Sequence, residues 1–292
     1  MKKINFNTKN GVRFIAALLG DGCLDKRLRI FYANSNPDLI NGFIKDVKTI
    51  FGNNVIYHIR EKSNNPKLKL VELPSRYGKI VVKIGLKGGS KIENNTRIPC
   101  YIFNLSKRKR IEFLSQIIDD EGIISFPSRH IAIHMATENK NKPNLVLDIK
   151  ELLKSVGIES SIYKEKEYTS LKGPNRKMWK IEIHSFKQLE EIYRNFSLRH
   201  KEKLQRLKIL IDSKKQIQYP KKKFKEIITK SMKKIEVEKG YFTSKDLSSD
   251  INRSLGHSRN VTRKFFKQGL IKKVKSYKSG NIHSFAKYKV SK

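Results

Sequence analysis

The chain has 292 residues, room for two or three domains, and 38% of them are hydrophobic, an adequate supply for their cores. Its 64 Lys and Arg against 27 Asp and Glu leave a formal net charge of +37, spread over the whole length rather than confined to a tail. That field points to a polyanion, and nucleic acid explains it better than genome-driven lysine enrichment, which would bring matching glutamate. Only two cysteines occur, Cys23 and Cys100, without metal-ligand spacing, so neither a disulfide framework nor a zinc site is expected. No apolar run approaches a membrane span and the N-terminus lacks a signal-peptide pattern, so no membrane partner and a reducing cytoplasm or nucleoid are expected.

In chain order, the spacing predicts a helix through FIAALLG, residues 14–20, with Asn10 as its cap. It is apolar on every face, the mark of a helix buried on all sides, and Ala16 and Gly20 share a face that lets a second helix approach closely. RLRIFYANS, residues 27–35, alternates as a strand with Leu28, Ile30 and Tyr32 inward and Arg27, Arg29 and Phe31 outward. Residues 36–52 form an amphipathic helix closed by Gly52. Two more strands are expected at 54–60 and 79–85, joined by a basic loop rich in Lys, Asn and Pro.

The second half repeats this order, beginning with LSQIIDDEG at residues 114–122. A strand at 130–138 points Ile131, Ile133 and Met135 inward and His130 and His134 outward. A helix over 142–157 ends at Gly157, strands follow at 158–165 and 176–184, and helices at 186–196 and 200–213 complete the copy.

Each apolar helix ends in an acid and a glycine: Asp21 before Gly22, Glu121 before Gly122. Read as left-handed C-terminal caps, the glycines place both carboxylates at the negative ends of helix dipoles, where a cation is preferred. Two such acids at adjoining helix ends call for a positive partner, and a hard divalent cation suits carboxylates and free helix-end carbonyls. No glycine loop for phosphate competes, since LKGGSK at 86–91 lacks the strand and helix on either side.

FIAALLGDG and LSQIIDDEG resemble the paired motifs of monomeric LAGLIDADG homing endonucleases, and the similarity runs from about residue 11 to 213, through RIPCYIFNLSKRKRIEFLSQ and NFSLRHKEKLQRL. Gln116 and Asp120 depart from it, standing where small residues are usual. The resemblance implies an α+β fold, two pseudo-symmetric repeats at 1–106 and 107–213 whose antiparallel sheets form a saddle on double-stranded DNA. It implies Asp21 and Glu121 as metal ligands with the backbone carbonyls of Gly20 and Asp120, Mg2+ or Mn2+ as cofactor, and hydrolysis of one phosphodiester in each strand. Lys83 and Lys180, at comparable places on matching strands, are candidates to stabilise the charged transition state. The outward residues Arg27, Arg29, Lys79, Lys83, His130, His134, Arg176, Lys177 and Lys180 are candidate DNA readers, against the bland alternative of solvated sheet residues.

After a basic linker at 214–223, residues 224–292 read as three helices and a hairpin with its turn at Ser279 and Gly280, resembling a winged helix-turn-helix domain. The third helix offers Arg259, Asn260, Thr262, Arg263 and Lys264 to a major groove. A monomer without an obligate protein partner is expected, and without self-splicing ends it reads as free-standing rather than an intein. Two rival readings remain open: a transcription regulator on an idle scaffold, and an RNA-binding intron maturase.

Overall fold

A computed structural model describes residues 4–62, 65–91, 94–125, 129–137, 143–168, 176–215, 224–251, 253, 255–275 and 286–291. The chain divides into two compact units, Met1–Ile124 with His130–Lys208, and Ser125–Arg129 with Ile209–Lys292.

The first unit holds the same succession of elements twice. It runs α1 (Lys9–Leu19), β1 (Gly22–Leu24), β2 (Ile30–Asn34), α2 (Pro37–Phe51), β3 (His58–Lys62), β4 (Asn65–Leu73) and α3 (Ser75–Val82). After a 3-10 turn at Cys100–Asn104 it repeats as α4 (Lys107–Glu121), β5 (Gly122–Ser125), β6 (His130–Thr137), α5 (Asn144–Ser155), β7 (Ser161–Tyr168), β8 (Arg176–Ile183) and α6 (Phe186–Asn195), followed by α7 (Lys201–Lys215), whose residues from Ile209 onward belong to the second unit. The sheet orders match, β1-β2-β4-β3 and β5-β6-β8-β7. So does the register: Ile30 pairs with Leu73 in one copy, Ile131 with Ile183 in the other. All pairings recorded in both sheets are antiparallel.

α1 is buried from Gly11 to Leu19 and packs on α4, as its all-round apolar sequence requires. Its cap is Thr8, whose hydroxyl accepts from the Gly11 amide at 3.0 Å. Asn10, expected in that place, lies within the helix and donates to Asp46 at 2.7 Å. Aromatic rings fill the core of the first repeat, with Tyr32 stacked on Phe43 at 4.4 Å and Phe14 at 5.6 Å from Phe43. The second core is mostly aliphatic, built from Leu114, Ile117, Ile133, Leu152 and Ile181.

The region after β3 differs from expectation. KLKLVEL, set down as loop, alternates and forms β4, with Val71 and Leu73 inward; residues 79–85, set down as a strand, belong mainly to α3 and its end. Burial falls on Tyr77, Gly78 and Val81, a helical spacing. Lys79 and Lys83 are therefore not on a sheet.

The motif glycines also act otherwise than as left-handed caps. Gly122 has φ −80° and opens β5, while Gly22 opens β1 and is not among the positive-φ glycines, which include Gly52 and Gly157 where α2 and α5 end. Space is what the motif glycines supply. A Cβ on Gly22 would meet the Ala17 carbonyl oxygen at 2.7 Å, and one on Gly122 the Ile118 carbonyl oxygen at 2.5 Å. Gly20 is confined by the other helix, since its Cβ would lie 2.6 Å from Asp120 Oδ2. The crossing is tight despite Gln116, which is buried and donates to Asp120 Oδ1 at 3.0 Å.

A buried polar lattice closes around the crossing. Arg13 of α1 donates to Glu112 of α4 at 2.8 Å and to the Ser197 carbonyl. Arg199 grips Asp46 of α2 at 2.6 and 2.7 Å, while the amides of Arg199 and His200 donate to Asp119 at 2.9 and 3.1 Å. Burying this many charges is tolerable only because each finds a partner.

The second unit contains α8 (Phe224–Lys239), α9 (Ser244–Asp250), α10 (Leu255–Lys267) and the antiparallel pair β9 (Ile271–Lys275) and β10 (Lys287–Val290). Ile228, Met232, Phe242, Leu247, Phe265 and Ile271 build its own core, and Thr243 with Asp246 forms a capping box at α9. Leu255 and Gly256 open α10. Residues 216–223 of the basic linker and the hairpin turn at Ser279 and Gly280 lie outside the described residues; Lys214 and Lys215 end α7.

Gly122→Ala tests the packing at the motif end, because its Cβ would meet the backbone of Ile118 rather than a side chain that can turn away. We expect a loss of about 1–3 kcal/mol in urea unfolding. A variant as stable as the wild type would contradict the packing described.

Candidate functional site

The ends of α1 and α4 carry Asp21 and Glu121 to neighbouring positions in the first unit, close enough that the charge on Asp21 bears on Glu121. Burial, and then that charge, push the Glu121 carboxyl up to about 7. Burial raises Asp21 as well, although Lys203, Lys91 and a 2.6 Å hydrogen bond from Asn34 oppose it. Each acid opens on its own cleft. Asp21 shares one of about 310 Å³ with Asn34, Asp119, Asp120, His200 and Lys203. Glu121 shares one of about 300 Å³ with Lys91, Thr96, His134 and Met135.

Two lysines complete the centre. The Lys91 ammonium donates to the carbonyls of Leu19, at 3.1 Å, and Gly20, capping α1. The Lys203 ammonium donates to the carbonyls of Ile118 at 3.1 Å, Asp119, and Asp120 at 3.4 Å, capping α4. The positive charge that two dipole-opposed acids require is thus supplied in part by the chain itself. Burial depresses both lysines, while Glu121 and Asp119 respectively act most strongly against that effect. The lysines occupy matching places, Lys91 following α3 and Lys203 following α6. No local pattern marks them among 64 basic residues, because each reaches its helix end from a distant segment.

Asp120 is the unusual member. It accepts from the Tyr32 hydroxyl at 2.7 Å, its Oδ2 is buried without a hydrogen bond, and burial together with the Asp21 charge favours its neutral form. As a side chain it belongs to the helix crossing; its carbonyl and that of Gly20, both expected as metal ligands, are the ones the lysines hold.

The donor set fits a hard divalent cation. The two carboxylates and the helix-end carbonyls beside them are the oxygen donors such an ion takes, although the Gly20 and Asp120 carbonyls already accept from Lys91 and Lys203. Among the described residues no group of three or more His, Cys, Asp and Glu has a metal-holding arrangement, so carbonyl oxygens would have to complete such a site.

The remaining candidates separate. On the sheet faces turned from the helices, Arg29 contacts Glu72 at 3.1 Å and Asp25 at 2.9 Å, and its guanidinium lies over Phe31. His130, His134 and Lys180 share the corresponding face of the second sheet, where Lys180 contacts Glu182 at 2.8 Å and Glu165 at 3.2 Å. Lys180 is therefore engaged with sheet carboxylates, and Lys83 lies at the end of α3; the cations that bear on Asp21 and Glu121 are Lys91 and Lys203. Arg27 and Lys79 are exposed, and Lys177 is half-buried in β8. The side chain of Arg176 lies outside the described ones. Arg60, on β3 and not among the expected readers, reaches Glu72 at 2.8 Å. On α10, Arg259, Asn260, Arg263 and Lys264 are exposed, whereas Thr262 is buried and donates to the Ser258 carbonyl at 2.7 Å, which removes it from any groove-facing set.

No protein-family model matches the chain. It is 29% identical over 150 residues to the ATP-dependent DNA helicase Hel308 of Methanocaldococcus jannaschii, a match covering 49% of this chain and 12% of the helicase. Among solved structures, I-DmoI in complex with DNA and Mn aligns with a TM-score of 0.42 and 13% identity, over 66% of this chain and 97% of the other. The homing endonuclease I-WcaI bound to its DNA recognition sequence aligns with a TM-score of 0.42 and 14% identity, over 70% and 88%. Among the described residues no helix is long and apolar enough to cross a membrane.

Because Glu121 holds its proton more tightly in the folded chain, the folded state carries more protons than the unfolded one from the ordinary glutamate value of 4.5 up to about 7. Stability falls as pH rises through that window. With a chelator present, Glu121→Gln should show a higher urea midpoint than the wild type at pH 8, the gap closing toward pH 4.5. A gap that is absent, or independent of pH, would contradict the burial of this carboxyl.

Proposed function

We propose that the chain is a site-specific double-strand DNA endonuclease of the LAGLIDADG homing type, using Mg2+ or Mn2+. The observation that carries this reading is the meeting of Asp21 and Glu121 at the crossing of two buried helices, each acid facing its own cleft. Two clefts around one crossing suit two phosphodiesters, one on each strand. Asp21 and Glu121 would hold the divalent ions, with helix-end carbonyls such as those of Gly20 and Asp120. When bound, such ions polarise the scissile phosphate and acidify a water. Lys91 and Lys203 lie beside the acids and would face the charge that develops on the phosphate, the role first considered for Lys83 and Lys180. Asn34 orients the Asp21 carboxylate by its 2.6 Å hydrogen bond.

The net charge of +37 supports a duplex partner, and a relative matched over 12% of its own length is named as a DNA helicase. The second unit, with three helices and a strand pair, is read as a winged-helix DNA-binding domain whose exposed Arg259, Asn260, Arg263 and Lys264 enter a major groove. That unit is also what would serve a regulator, and the test separates the two. Wild type, Asp21→Asn and Glu121→Gln are each incubated with a randomised duplex pool and Mg2+. The wild type should cut both strands, and each variant should lose double-strand cleavage by at least about a hundredfold while retaining duplex within a few-fold. A variant that still cuts both strands would remove the acids from the chemistry; retention without cleavage by the wild type would favour the regulator.

A further inference from the structure

Each sheet carries, on the face turned away from the helices, one buried carboxylate in the middle of a basic surface. Glu72 in β4 is 7% exposed and Glu182 in β8 is 8% exposed. They occupy the same position of the repeat. Glu72 pairs with Phe31 and His58 across its neighbouring strands, Glu182 with Ala132 and Ser161, and each directly precedes the inward residue paired with Ile30 or Ile131. Both gather cations. Arg29 and Arg60 reach Glu72 at 3.1 and 2.8 Å; Lys180, His184 and His130 lie 2.8, 2.8 and 3.5 Å from Glu182. Arg29 and His130 stand at matching positions, one before Ile30 and one before Ile131. The other partners differ, an arginine from the edge strand in the first repeat and a lysine from the central strand in the second. The arrangement thus keeps the carboxylate and its place while the cations vary.

Ordinary ion pairs on a protein surface contribute little to stability, and a buried carboxylate costs desolvation, so stability alone gives weak grounds for placing one at this point in both sheets. Fixing donors gives stronger ones. Readout of base edges in a major groove needs guanidinium and ammonium groups held in one geometry, and donors fixed before binding lose less entropy when they bind. A carboxylate within this basic field also prevents the sheet from gripping every phosphate equally.

We propose that Glu72 and Glu182 are specificity-determining positioning residues, each fixing the basic side chains with which its sheet reads one half of a duplex target. This rests on the reading of the chain as a two-sheet DNA-binding endonuclease. Although burial pushes it up, hydrogen bonds from Lys180 and His184 hold the Glu182 carboxyl below its ordinary range, consistent with an ionised anchor.

The test is binding selection from a randomised duplex pool with a chelator present, so that no strand is cut, using full-length wild type, Glu72→Gln and Glu182→Gln. The wild type should enrich one site. Each variant should lose discrimination at the bases of one half of that site, on the order of tenfold, the two variants affecting opposite halves. Retention of unselected duplex should be equal or stronger, since a negative charge has been removed. The half that stays intact in each variant shows that the fold persists. Arg60→Met, which leaves Glu72 and Arg29 in place, is the second variant for the first sheet and should degrade the same half as Glu72→Gln. If the wild type enriches no sequence, the DNA-reading assignment itself fails. If it enriches a site and the variants keep full preference in both halves, or lose it evenly across both, the anchor assignment alone is overturned.

Discussion

The crossing of α1 and α4 is the constraint on which the first unit depends. Two helices can approach this closely only where side chains vanish, and Gly20, facing Asp120, supplies that opening. Close approach brings together two negative helix ends, each lengthened by a carboxylate, an arrangement that electrostatics opposes. The chain answers with Lys91 on one end and Lys203 on the other, each delivered by a segment from outside the helix it caps. The lattice of Arg13, Glu112, Asp119 and Arg199 then fixes the segment that carries Lys203. Packing and charge compensation thus meet at the same few residues, which makes this end of the helices rigid and strongly polarised.

From that crossing the duplicated fold spreads outward with the same strand order and register on both sides. Duplication of topology does not require duplication of chemistry in the cores: one is aromatic, the other mostly aliphatic. What recurs is the placing of polar groups, an acid at each motif end, a lysine after each third helix, a buried glutamate on each outer sheet face. These positions face clefts or sheet surfaces, where a two-sided ligand would meet equivalent groups from each half.

Much of this was legible in the sequence, for reasons that differ from element to element. The apolar run 14–19 and its polar-flecked counterpart could only be buried, and Gly52 and Gly157 mark helix ends through a left-handed backbone that glycine adopts freely. The exchange of strand and helix between residues 65 and 85 shows the limit: the helical burial spacing of Tyr77, Gly78 and Val81 passed for a strand, and a richness in Lys, Asn and Pro hid the alternation of β4. Gly22 and Gly122 drew attention for the wrong property, conformational freedom in place of small size. Lys91 and Lys203 had no local signal at all, since contacts across tens of residues leave none in a chain where basic residues are everywhere.

The central claim, that the acids at the helix crossing form a metal-dependent hydrolytic centre for two strands, is tested most directly by mapping both ends of every break. A randomised duplex pool is incubated with Mg2+ or with a chelator and the fragment ends are sequenced. The account predicts paired breaks, one in each strand, at one recurring sequence and only with the metal. A pool retained by the protein and left uncut under both conditions would contradict it.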